Sequence, residues 1–127
     1  MAKWANSTVL NGGLDYIKNN VTQQVLIKAY AAGDSYATVM ANAVAAAAMA
    51  PTDMIITGAA NNPRVLTFGA KSAVATANSG PTPDNHIAFT DGVSSVLVVT
   101  DETSDQQVFS GNMVNFPSNT YTSNQPI

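Results

Sequence analysis

Apolar and β-branched residues gather in short runs along this chain, and turn-forming residues separate the runs. Such runs lie at residues 22–29, 54–57, 65–70 and 73–77, and a shorter one lies at 120–122. Runs of this length, bounded by Gly, Pro, Asn or Asp, predict β-strands. Many short strands with turn chemistry between them are typical of an antiparallel sandwich or barrel.

Residues 86–101 predict a β-hairpin near the middle of the fold. Two strand-like runs flank Asp91 and Gly92, and glycine accepts the positive φ that tight hairpin turns require. The second run contains the consecutive apolar residues 96–99, which favours a strand covered on both faces. We therefore expect this hairpin to lie inside the sandwich and not at the edge of a sheet.

The register of this hairpin depends on which residues form its loop. A loop of Asp91 and Gly92 would leave Phe89 facing a serine. A loop of Gly92 and Val93 places glycine first, as a type II′ turn needs, and brings Phe89 opposite Val96. Because apolar pairs across a ladder contribute roughly 0.2–1 kcal/mol each, we expect the second register.

One amphipathic helix is predicted near the N-terminus, at residues 8–19. Leu10, Leu14 and Ile17 recur at positions i, i+4 and i+7, which places them on one face of a helix. A single short helical turn is predicted at 36–40. These helices are minor elements in an otherwise strand-rich pattern.

The alanine-rich residues 41–50 can be interpreted in two ways. Alanine is the strongest helix former, and Pro51 would end a helix there. Alanine also fits a strand whose neighbours crowd it closely, and an all-β environment can override local propensity. The sequence therefore leaves this stretch open between strand and helix.

Turn-forming residues predict further loops and a second hairpin. Residues 107–109 and 113–116 flank the turn residues 110–112, and we expect these two runs to pair. Gly, Pro, Asn and Asp mark loops at 58–63 and 79–84.

The whole chain, residues 1–127, is expected to be a single β-rich domain. Its fold class is mainly β: a β-sandwich or flattened barrel, jelly-roll-like, with one N-terminal helix. Residues 1–7 are expected to form an extended leader, and residues 123–127 an extended tail. A chain of 127 residues can bury a substantial core as one domain.

The composition is apolar and weakly charged. Hydrophobic residues make up 46% of the chain, charged residues only 10%, and the net charge is −3. Because only 5 lysines and arginines are present, no basic patch can neutralise phosphates, and we expect no nucleic-acid binding. An amide- and hydroxyl-rich surface of low charge suits a protein that packs against neighbours.

The chain has no signal-like start and no apolar run long enough to span a bilayer. Its longest apolar run covers residues 43–50, far short of the roughly 20 residues that a spanning helix needs. We expect a soluble protein that is made in the cytoplasm and does not bind membranes.

No pattern in the sequence predicts catalysis, a cofactor or a metal. His86 is the single histidine and cysteine is absent, so the usual structural zinc ligands are missing. The acidic turn that contains Asp101 lacks the spacing of a calcium loop. The best residues for a small hydrolase would be His86 with Asp84 or Asp91, and no activated-nucleophile motif accompanies them.

Four segments, spread over most of the chain, resemble a family of small tailed-bacteriophage proteins. They are residues 7–20 (STVLNGGLDYIKNN), 70–74 (AKSAV), 86–89 (HIAF) and 110–117 (SGNMVNFP). The family contains structural proteins of the virion head module, often considered capsid decoration or cement proteins. None of the four segments covers the alanine-rich stretch or defines a functional residue.

The resemblance implies a β-rich protein without a cofactor that assembles on the outside of a capsid lattice. Its partner would be the major capsid protein, and it would form a homo-oligomer on the capsid. Lys3, Trp4 and Tyr121, in the leader and near the tail, are the expected partner contacts, because such segments can become ordered on a surface. A tail- or fibre-associated binding module is the alternative, and a small hydrolase is a more distant one.

Overall fold

The computed structural model describes residues 7–58, 63–102 and 104–124. The helices are α1 Ser7–Asn20 and α2 Tyr36–Ala41, and a 3₁₀ turn spans Pro51–Asp53. The strands are β1 Gln23–Ile27, β2 Ala43–Ala48, β3 Met54–Thr57, β4 Arg64–Phe68, β5 Lys71–Val74, β6 His86–Thr90, β7 Val96–Asp101, β8 Met113–Phe116 and β9 Asn119–Ser123.

The strands form three antiparallel sheets, and the predicted mainly β fold class is confirmed. The orders are β2-β1-β6-β7, β3-β4-β9 and β5-β8. The two larger sheets share one core, where Phe68 of β4 stacks on Phe89 of β6 with ring centroids 3.9 Å apart. The described strands form a sandwich-like arrangement and no closed barrel, so the barrel alternative is wrong.

The predicted N-terminal helix is confirmed, with one more residue at each end. Leu10, Leu14 and Ile17 are all buried, as their spacing predicts. The helix contacts β3, β4 and β9, and Asn11 Oδ1 accepts a hydrogen bond of 3.0 Å from Arg64 Nε in β4. Because Ser7 already belongs to α1, an extended leader would have to end before it.

The alanine-rich stretch is a strand. β2 pairs with β1 along its length, and on its other side the carbonyl of Val44 accepts a hydrogen bond of 2.8 Å from the Thr76 amide. Ala45 and Ala47 are buried in the main core. Backbone pairing on one side and crowding on both therefore override the helical propensity of alanine.

The predicted central hairpin exists, but its expected register is wrong. Phe89 pairs with Val98 and not with Val96, and the loop covers residues 91–95 instead of two residues. Asp91 Oδ1 accepts hydrogen bonds from the amides of residues 93, 94 and 95, at 2.9, 2.8 and 2.9 Å. One carboxylate thus stabilises a longer loop than the glycine signal alone indicates.

The expected position of this hairpin is also wrong for its second strand. β7 is the edge strand of its sheet, and residues 96–100 are only half-buried. β6 lies between β1 and β7, and four of its five residues are buried. A continuous apolar run does not distinguish an interior strand from an edge strand that packs partly on two cores.

The second predicted hairpin does not form. β8 pairs with β5, through Ala73–Val114 and Lys71–Phe116, while residues 107–109 have no strand structure. The amide of Asn112 donates a hydrogen bond to the carbonyl of Phe109, so the predicted turn forms. The two segments that flank this turn do not pair with each other. A partner about forty residues away in sequence replaces the local one.

The strand predicted at 54–57 is confirmed as β3, and the other predicted strands form with shifted ends. The strand predicted at 73–77 is β5, which begins and ends earlier. Residues 59–62 of the first predicted loop, and residues 125–127 of the predicted tail, lie outside the described residues. Ser123 closes β9, so any tail begins after it.

Candidate functional site

The three predicted partner contacts do not form a site in the described structure. Lys3 and Trp4 lie outside the described residues. Tyr121 lies in β9 opposite Leu66, and 45% of its surface is exposed. It shares the face of Leu66, which is buried against the core, so Tyr121 borders the core at the edge of its sheet.

The opposite face of sheet β3-β4-β9 is a better candidate for contact with a partner. Paired residues of neighbouring strands point to the same face of a sheet, and successive residues point to opposite faces. Two cross-strand rows therefore form this outer face, and its members are Ile55, Thr67 and Thr120, then Thr57, Val65 and Thr122.

The outer face carries four threonines, one isoleucine, one valine and no charge. Ile55 is 59% exposed, its threonine neighbours on the two edge strands are exposed, and the residues of β4 between them are half-buried. Arg64 of β4 points to the other side, where it bonds to α1. The face is uncharged in keeping with a chain of which only 10% is charged, and it extends over all three strands of the sheet.

A second exposed apolar group lies on the small sheet β5-β8. Val74 and Met113 are cross-strand partners, exposed to 51% and 61%. On the same face, Ser72 Oγ bonds to Asn115 Oδ1 at 2.8 Å. This pair offers a smaller surface for contact than the outer face of β3-β4-β9.

The hairpin β6–β7 brings His86 together with two carboxylates at its open end. His86 pairs with Asp101 across the ladder, and their Nε2 and Oδ1 atoms are 3.6 Å apart. The Asp84 carboxylate lies near the other ring nitrogen, with Oδ1 3.8 Å from Nδ1. The sequence predicts Asp84 as a neighbour of His86 but does not predict Asp101, because Asp101 reaches His86 only through the pairing of β6 with β7.

Asp91 does not take part in this cluster. It follows the last residue of β6, whereas His86 is the first, so the two lie at opposite ends of the strand. Three backbone amides donate to the Asp91 carboxylate and hold its pKa below the usual value, those of Ser95 and Ser94 most strongly. Asp91 therefore stabilises a loop and is not available to His86.

A cleft of about 410 Å³ lies beside the same end of the hairpin. Leu26, Ile87 and Phe116 form part of its wall, together with Asn85 and Glu102. Partial burial raises the pKa of Glu102, and the neighbouring negative charge of Asp101 raises it further. His86 is not among the residues that line the cleft, so the cleft does not bring it to a substrate.

Comparison with protein-family models, curated proteins and solved structures finds no match to this chain. Within the described residues, neither helix has the length and apolar character needed to cross a bilayer. The arrangement of its own residues is therefore the basis on which a function can be assigned.

Proposed function

We propose that this chain is a structural protein of a tailed-bacteriophage virion, a decoration or cement protein that binds the outside of the head lattice and stabilises it. The resemblance of four segments to such proteins motivates the proposal. The uncharged outer face of β3-β4-β9 is the observation that supports it best, because it offers a surface for adhesion on a rigid sheet.

The chemistry of the outer face suits contact with another protein. Burying threonine and aliphatic side chains removes apolar surface from water without the large cost of desolvating unpaired charges. β3 and β9 are the edges of this sheet, so their unpaired backbone groups can also pair with a strand of the partner. Both contributions are available without a change of fold.

A capsid lattice strengthens modest contacts by repetition. A stable pairwise interface usually involves about 20–30 residues on each partner, and this face consists of six. A homo-oligomer on the capsid presents several copies at once, and linked contacts bind far more tightly than single ones. The major capsid protein is therefore the proposed partner, and an assembled particle is the proposed location.

The hydrolase alternative receives little support from the site. His86 has two carboxylate neighbours, Asp84 and Asp101, but it lies outside the lining of the cleft. A general base must reach the proton that it removes in a bound substrate.

Electron microscopy of virions of the phage whose genome encodes this chain tests the proposal. Antibody-gold labelling, or a density map that fits the sandwich, should place many copies on the outer surface of the head. Density on the tail or fibres would instead support a tail-associated binding module. Absence of the chain from purified mature particles would contradict both assignments.

A further inference from the structure

Asp84, His86 and Asp101 present one ligand atom each in a small volume. These three atoms all lie within 4.8 Å of one another. Asp84 precedes β6, His86 opens it and Asp101 ends β7, so the chain brings them together from two strands of one hairpin. Imidazole and carboxylate groups are common ligands of divalent metal ions.

The His86 ring is held in one orientation. Its Nδ1 atom lies 3.1 Å from the backbone carbonyl oxygen of Asp84, and a carbonyl can only accept a hydrogen bond. Nδ1 therefore carries the proton and donates it. Tyr30 packs against the ring with centroids 5.6 Å apart, and only 13% of the side chain is exposed. Metal-binding histidines are commonly fixed in this way through their other nitrogen.

This orientation turns the second nitrogen toward Asp101. With the proton on Nδ1, the Nε2 atom of a neutral ring offers a lone pair, and it faces a carboxylate oxygen 3.6 Å away. That distance is too long for a hydrogen bond between the two atoms. Two ligands about 2.1 Å from a tetrahedral zinc ion lie about 3.4 Å apart, which is close to the observed separation.

We propose that Asp84, His86 and Asp101 bind a divalent transition-metal ion of the zinc type. The imidazole favours such an ion over calcium and magnesium, which prefer sites made of oxygen ligands alone. Asp84 and Asp101 have side chains 65% and 75% exposed, so both can adjust to the ion while water completes its coordination.

The bound ion would join the start of an interior strand to the end of an edge strand. β7 pairs only with β6 in its sheet, so its last residue has no second neighbouring strand to hold it. A metal that binds the folded protein and not the unfolded chain stabilises the fold in proportion to its concentration and affinity. Its role here is structural, and it stands independently of the proposed virion function.

Nuclear magnetic resonance tests the site directly, because His86 gives the only imidazole signal of the chain. Protein without a histidine tag is treated with a chelator, dialysed, and titrated with ZnCl₂ and, in parallel, with CaCl₂. We expect one equivalent of Zn²⁺ to move the Nε2 resonance and to raise the melting temperature, and Ca²⁺ to do neither.

Three variants locate the ligands. Asp101→Asn and His86→Gln should each weaken Zn²⁺ binding more than about tenfold in calorimetry. Asp15→Asn removes one exposed carboxylate from α1, far along the chain from the cluster, and should bind as the unmodified protein does. Far-UV circular dichroism checks that each variant is folded.

Three results would overturn the assignment. They are an imidazole signal that Zn²⁺ leaves unmoved, an equal response to Ca²⁺, and a folded Asp101→Asn variant with unchanged affinity. The first would mean that no metal ion binds at His86.

Discussion

The two faces of sheet β3-β4-β9 are built from alternating residues of the same strands, yet the residues of the central strand β4 and its neighbours differ in burial between them. On the inner face Met54, Leu66 and Phe68 are at most 1% exposed and belong to the main core. On the outer face the four threonines, Ile55 and Val65 carry no charge, and neither Ile55 nor Val65 belongs to the main core. The inner face accounts for folding, and within the described residues the outer face is available for binding.

The largest effect is expected from truncation on the inner face. Phe68→Ala removes the ring that stacks on Phe89 and should reduce the free energy of unfolding by about 3–5 kcal/mol. The exposed outer-face change Thr120→Ala should cost less than about 1 kcal/mol. Urea denaturation of both variants measures the difference, and similar losses would refute the division between the faces.

A smaller effect is expected from the same alternation in β2. Ala45 is 1% exposed in the core, so Ala45→Val should overpack it and cost about 1–3 kcal/mol. Its neighbour Ala46 is exposed, and Ala46→Val should be neutral or slightly stabilising, because valine suits a strand. In a helix valine would be unfavourable at both sites, so a loss of stability in Ala46→Val would contradict the strand.

Two carboxylates of the β6–β7 hairpin should respond to pH in opposite directions. The pKa of Asp91 is lowered in the folded protein, so its stabilising contribution is present above about pH 4 and disappears as the pH falls through the lowered value. The pKa of Glu102 is raised by burial and by Asp101, so its destabilising contribution grows as the pH rises from the unfolded-state pKa through the raised value and is complete above it.

Neutral substitutions should separate these two contributions at pH 7. Asp91→Asn should lower the melting temperature by a few degrees, and Glu102→Gln should raise it slightly. Below about pH 3 the Glu102→Gln variant and the unmodified protein should converge, since both side chains are then uncharged. Melting curves between pH 3 and pH 8 check this, and a stabilising Asp91→Asn would rule out the role given to the loop carboxylate.

Local patterns in the sequence were sufficient for the helix and for most strands. The spacing of Leu10, Leu14 and Ile17 identified α1, and apolar runs located β1, β3 and β4. An element that buries one face has apolar residues at regular intervals along the sequence. The strand at 43–48 could not be decided in advance. Its neighbours in space, β1 and Thr76, determine its structure, and neither is adjacent to it in sequence.

Side-chain hydrogen bonds and long-range strand pairing explain the errors. The hairpin loop was predicted too short because Gly92 signals a turn, whereas the bonds of the Asp91 carboxylate set its length. The partner of β8 was predicted locally, although its ladder is with β5. The cluster at His86 was not predicted because Asp101 joins it only through the register of the β6–β7 hairpin.

The smallest effect on stability, and the largest on binding, is expected from a charge on the outer face. Ile55→Lys places a cation at an exposed edge-strand position, which native sheets commonly tolerate. Val74→Lys is the matched control, since Val74 is a similarly exposed aliphatic residue on an edge of the other small sheet. Both variants should unfold within about 0.5 kcal/mol of the unmodified protein.

Co-sedimentation of these proteins with purified capsids that lack the chain tests the central claim most directly. We predict that the unmodified protein and Val74→Lys saturate the capsids, and that Ile55→Lys binds at least about tenfold more weakly at equal stability. Undiminished binding of Ile55→Lys, or no binding of the unmodified protein, would contradict adhesion through the outer face of β3-β4-β9.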